Sequence, residues 1–74
     1  MDNYRAVALA EGFEDGPEAE VLAAWQHLVD TGIAWQLQGW FGRSAAALLR
    51  EGTIEARTPI AIQIAGLAPK QIGV

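Results

Sequence analysis

Two apolar stripes at helical spacing, parted by one glycine-containing turn, constrain this chain more than any other feature. Val21, Leu22, Trp25, Leu28 and Val29 recur at intervals of three and four, which sets them on one face of a helix. Ile33, Leu37, Trp40, Phe41, Ser44 and Leu48 form a second such face. Between them lies Asp30-Thr31-Gly32, and Gly32 suits the left-handed conformation that closes a helix. Upstream, Asp15-Gly16-Pro17-Glu18 offers a capping oxygen, a proline for the first turn, and acids where the helix dipole favours them. The pattern predicts a helix ending near Asp30 and another from about Ile33 to Glu51, stopped by Gly52. A turn this short makes them antiparallel or steeply crossed neighbours, a helical hairpin.

The flanks are less decided by pattern. Asp2 can cap a short helix with Tyr4, Val7 and Ala8 on one side and Gly12 at its end, although residues 4–9 also read as a short strand. Gly12 to Gly16 is a turn. Beyond Gly52, Ile54, Ala56, Ile60, Ile62 and Ile64 alternate with polar residues, which favours a β-strand broken at Pro59. The competing reading is a helix capped by Thr58 with Pro59 in its first turn. Gly66 to Val74 reads as a loose tail. The expected fold class is therefore mainly α: one small domain over residues 1–74, with a helical core at about 15–52 and a C-terminal strand or tail at 53–74.

Size and composition limit how such a fold is held. A 74-residue chain buries only roughly 60% of its unfolded surface, so core packing and self-association must supply its stability. No cysteine is present, which removes disulfides, thiolate metal ligands and a thiol nucleophile. A hydrophobic content of 51% supports both a core and a homodimer. The longest apolar stretch, Ile60 to Pro69, is well short of the ~20 residues of a membrane span. The Met1-Asp2-Asn3-Tyr4-Arg5 start lacks the pattern of a signal peptide. A soluble protein that stays in the cell that makes it is the expectation.

Charge is split along the chain. Residues 1–30 carry Asp2, Glu11, Glu14, Asp15, Glu18, Glu20 and Asp30 against Arg5, a net −6. Residues 31–74 carry Arg43, Arg50, Arg57 and Lys70 against Glu51 and Glu55, a net +2. So few cations argue against direct nucleic-acid binding and against a helix-turn-helix reader in the hairpin. The acidic half can steer towards a basic partner, or simply keep the surface solvated.

Catalytic chemistry finds little purchase. A triad of Ser44, His27 and Asp30 can be drawn, but helical spacing does not bring base and nucleophile within reach. The acids from Glu11 to Glu20 match neither a calcium loop nor a desolvated acid–base pair. No catalytic residue, metal ligand or cofactor is assigned. Binding remains. Gly39, Gly42, Ala45 and Ala46 form a small-residue strip that lets another backbone approach, and Trp35 lies beside it, off the apolar stripe. Trp35, Gly39, Gly42 and Arg43 are the candidate contacts with a partner or a second copy; the plainer account has the glycines serving helix packing and Trp35 meeting the N-terminal segment.

The segments Ala24-Trp25-Gln26-His27-Leu28-Val29-Asp30-Thr31-Gly32, Trp35 to Arg43, Ala45 to Leu49 and Gly52 resemble a family of short uncharacterised tailed-bacteriophage proteins. Its mark is the Leu37-Gln38-Gly39-Trp40-Phe41-Gly42-Arg43 signature after an acidic helix. The likeness covers roughly residues 11–52 and leaves 53–74 outside. It implies a phage product in the cytoplasm of a bacterial host and supplies no reaction. Together these readings predict a non-enzymatic accessory protein that binds a host or phage protein, possible targets being a host process or defence system. A small nucleic-acid regulator and a minor virion or assembly component are the alternatives.

Overall fold

The computed structural model describes residues 1–66, which form four α-helices and no strand. Helix α1 spans Asn3–Glu11. Its start is set by Asp2, whose carboxylate accepts a 2.7 Å hydrogen bond from the Arg5 amide, one of the donors a helix leaves open. Its end is set by Gly12, left-handed at φ 85°. The Gly12 and Phe13 amides then return to Leu9 O and Ala8 O, the paired bonds of a Schellman stop. Ala6 and Leu9 are the buried residues of α1. Tyr4 is 84% exposed, whereas Val7 is partly buried against the core.

Helix α2 runs from Glu18–Thr31. The capping oxygen expected from Asp15 is not used. Pro17 holds the cap position in extended backbone with no side-chain bond, because Asp15 stands two residues too early. Glu18 and Glu20 in the first turn favour the positive end of the dipole instead. Ala24, Trp25, Leu28 and Val29 are buried on one face, and Gly32 closes the helix at φ 82°.

The single helix expected from Ile33 to Glu51 is broken. Ile33–Trp35 is a 3₁₀ turn, Gln38 is extended at ψ 152°, and helix α3 spans Gly39–Glu51. Gly39 becomes the first residue of α3 and Gly42 stays inside it, so the helix restarts on a residue that weakens helix by about 1 kcal/mol relative to alanine in an interior position. The break buries Ala34 and turns Trp35 back onto α3. The hairpin link is thus residues 32–38 rather than a three-residue turn. The buried positions of α3 are Phe41, Ala45 and Leu49, rotated by about one residue from the expected stripe, and Trp40 is 46% exposed. Aromatic rings bridge α2 to α3: Trp25 lies 5.9 Å from Trp40 and 6.0 Å from Phe41, centroid to centroid. Trp40 meets Phe41 edge-on at 4.8 Å, within the range where such pairs attract.

Residues 54–64 do not form the expected strand. Helix α4 spans Pro59–Gly66. Thr58 Oγ1 accepts from the Ala61 amide at 3.2 Å and the Thr58 carbonyl accepts from Ile62, so the Thr-Pro start outweighs the strand preference of the isoleucines. A strand here would also need a ladder partner, and no other strand is present among the described residues. Ala61 is buried, with Ile64 and Ala65 packed beside it. The expected tail beyond Gly66 lies outside the described residues.

The Gln26 side chain clamps the segment from Gly52 to Thr58 onto α2. The Gln26 amide accepts from the Glu55 amide at 2.7 Å and donates to the Glu55 carbonyl at 2.8 Å, imitating the two bonds of a neighbouring strand. It also donates to Asp30 Oδ1. Ile54 is buried next to this clamp. Gln26→Ala removes both backbone bonds and is expected to destabilise the fold by about 1–2 kcal/mol, a fall in Tm of about 4–8 °C per kcal/mol. A thermal melt checks it, and an unchanged Tm would show that water replaces the clamp without loss.

Candidate binding groove

Trp35 and Gly42 lie against each other within the chain. A Cβ built on Gly42 would sit 3.8 Å from Trp35 Cε3, so the indole lies directly over that glycine. Gly39 and Arg43 also meet: the Arg43 guanidinium reaches back over Gly39, with Nη1 3.0 Å from where a Cβ would be. The small-residue strip is therefore covered in part by this chain's own side chains, and Ala45 within it is buried in the core. Neither glycine is sterically required. The 3.8 Å spacing at Gly42 is ordinary van der Waals contact, and Arg43 is flexible. Gly42→Ala is accordingly expected to stabilise the protein by about 0.5–1 kcal/mol through helix propensity. Urea titration reads this directly; a loss of stability would mean that the indole cannot yield to a methyl group.

A concave site opens on the Trp35 side of the molecule. It has a volume of about 370 Å³ and is lined by Asp30, Thr31, Gly32, Trp35, Thr58, Pro59 and Ile60. The C-terminal end of α2, the 3₁₀ turn and the start of α4 form its walls. Sequence reasoning placed Trp35 at a contact surface but missed Thr58, Pro59 and Ile60, because the favoured strand reading, broken at Pro59, separated them from it. Thr31 was missed because the single-helix reading gave no wall beside it. The Thr58-Pro59 helix signature was the signal that could have found them.

The polar groups in these walls are mostly engaged. Thr31 Oγ1 donates to the His27 carbonyl at 2.8 Å, and Thr58 Oγ1 serves as the α4 cap. Asp30 accepts from Gln26 and pairs with Arg57 at 3.3 Å. Arg57 also bonds Glu55 at 2.6 Å, and the Glu55 hydrogen bond and charge, followed by the charge of Asp30, raise the guanidinium pKa above its ordinary value. The exception is Trp35 Nε1, buried with no hydrogen-bond partner. An unpaired buried donor costs about 1–3 kcal/mol. The groove therefore combines a mostly apolar lining and an exposed Ile60, with the unpaired indole N–H buried beneath the surface.

The drawn triad is not assembled. His27 Nε2 lies 2.7 Å from Asn3 Oδ1, and Asp30 engages Gln26 and Arg57. Among the described residues no group of three His, Asp or Glu side chains is arranged to hold a metal ion, and no helix is long and apolar enough to cross a membrane.

No curated protein and no solved structure shows significant similarity to the chain. A family match begins at residue 11 and continues through α4, so this helix lies within the matched unit. Matching residues 11–68, the chain belongs to the family described as a domain of unknown function (DUF7417).

Proposed function

We propose that this is a non-enzymatic bacteriophage accessory protein that acts in the host cytoplasm, as a homodimer, by binding a host or phage protein and so interfering with a host process or defence system. The observation that carries the binding reading is the Trp35 groove, where a mostly apolar wall, an exposed isoleucine and a tryptophan side chain meet. Interfaces favour that mixture: an aromatic anchor with a polar handle, beside apolar surface that gains by leaving water. A partner that inserts an apolar side chain against Ile60 and Pro59 would withdraw that surface from water.

Affinity capture from the bacterial host, with mass spectrometry of the eluate, tests this. The recovered protein is then purified and titrated against the wild type, Trp35→Ala and Ile60→Glu. Ile60 is 53% exposed, so its substitution leaves the core intact and reports on binding alone. Stoichiometric binding that is lost with Ile60→Glu supports the reading. Binding unaffected by either substitution overturns the groove as the contact. Retention on DNA that weakens with salt would instead favour a nucleic-acid regulator, and recovery in purified particles a virion component.

A further inference from the structure

The charges left without ion-pair partners gather mainly on two helix faces. Arg5 pairs with Glu14 and Glu20, and Arg57 with Asp30 and Glu55. Among the described residues this leaves Asp2, Glu11, Asp15, Glu18 and Glu51 without a cation, all exposed; the first four lie at the ends of α1 and in the turn into α2, and Glu51 ends α3. It also leaves Arg43 and Arg50 without a carboxylate, both exposed on α3. At 100° per residue, Tyr4, Ala8 and Glu11 occupy the side of α1 turned away from Ala6 and Leu9. Arg43, Ala47 and Arg50 occupy the side of α3 turned away from Phe41, Ala45 and Leu49. Each face carries exposed aromatic surface as well: Tyr4 and Phe13 (82% exposed) on the first, Trp40 on the second. A hydrophobic residue following a Schellman glycine commonly folds back on its own helix; Phe13 instead stands in solvent.

We infer that the outer face of α1 with the Phe13 turn docks on the outer face of α3 of a second copy of this chain. The two faces are complementary in charge and comparable in span. Tyr4 to Glu11 and Arg43 to Arg50 are each seven residues apart, about 10 Å along a helix axis. Small side chains at Ala46 and Ala47 let the helices approach. Glu51, at the far end of the α3 face, is its one opposing charge. Two-fold pairing makes the contact twice, since each copy presents both faces. The aromatic side chains bury the apolar area, Arg43 can stack on Phe13 or Tyr4, and the charges set orientation and salt dependence more than affinity.

This rests on the homodimer part of the proposed function and not on the host partner. The test is the solution mass by sedimentation equilibrium, over concentration and ionic strength, for the wild type and two charge-reversed doubles. Glu11→Lys with Asp15→Lys reverses one face, and Arg43→Glu with Arg50→Glu reverses the other. All four positions are exposed, and circular dichroism confirms that helix content is kept. The expected result is a wild-type dimer that weakens as salt screens the faces. Each double alone should dissociate about tenfold or more readily, and the two doubles mixed should recover a heterodimer. A dimer indifferent to both doubles overturns the face assignment while leaving the homodimer intact. A chain that stays monomeric at every concentration overturns both, and neither outcome bears on the Trp35 groove.

Discussion

Trp25→Ala is expected to destabilise the protein by about 3–5 kcal/mol. Trp25 is 6% exposed and is the ring through which α2 meets both Trp40 and Phe41. Its removal leaves a large cavity between two helices joined chiefly by those rings. It also deletes two aromatic pairs, each worth about 0.5–1.5 kcal/mol beyond burial. A domain of this size holds only about 3–5 kcal/mol in its core, so the variant should be largely unfolded at 25 °C. Far-ultraviolet circular dichroism with urea titration measures it. Trp25→Phe keeps a ring in place and should lose less than half as much. If the alanine variant melts like the wild type, the aromatic bridge is not what joins α2 to α3.

Leu28→Ala comes next, at about 2–5 kcal/mol. Leu28 is fully buried and among the largest side chains wholly withdrawn from solvent, with Leu9 and Val29. It lies on the buried face of α2 with Ala24, Trp25 and Val29. The wide range reflects how far the neighbours can close over the vacated space. Buried alanines such as Ala6, Ala24, Ala34 and Ala45 have no longer side chains to swing in, which favours the upper part of that range. Leu28→Met retains volume and should lose less than about 1.5 kcal/mol. Chemical denaturation of both variants separates a cavity effect from a general intolerance at the site. Equal losses would contradict the cavity account.

Several features were legible from residue order because they depend on a few neighbouring groups. Asp2 caps α1, Gly12, Gly32 and Gly52 close three helices, and the Val21–Val29 stripe faces inward. The candidate site was legible only in part. Trp35 was marked as lying off the stripe, and its approach to Gly42 followed. The other wall of the groove did not, because Thr58, Pro59 and Ile60 were assigned to a strand.

What the sequence alone determined is therefore the mainly helical class, the acidic N-terminal half and the positions where helices stop. Capping, left-handed glycines and the 3.6-residue period are local, and they act within a turn or two of chain. Tertiary structure decided the break before α3, the helical state of residues 59–66 and the groove between distant segments. In each case local preferences were nearly balanced: two glycines weaken a helix they do not forbid, and isoleucines suit a strand that has no partner. Burial of Ala34 and Ala61 and the Gln26 clamp on Glu55 tip that balance, because they join residues far apart in the chain whose proximity exists only once the protein has folded.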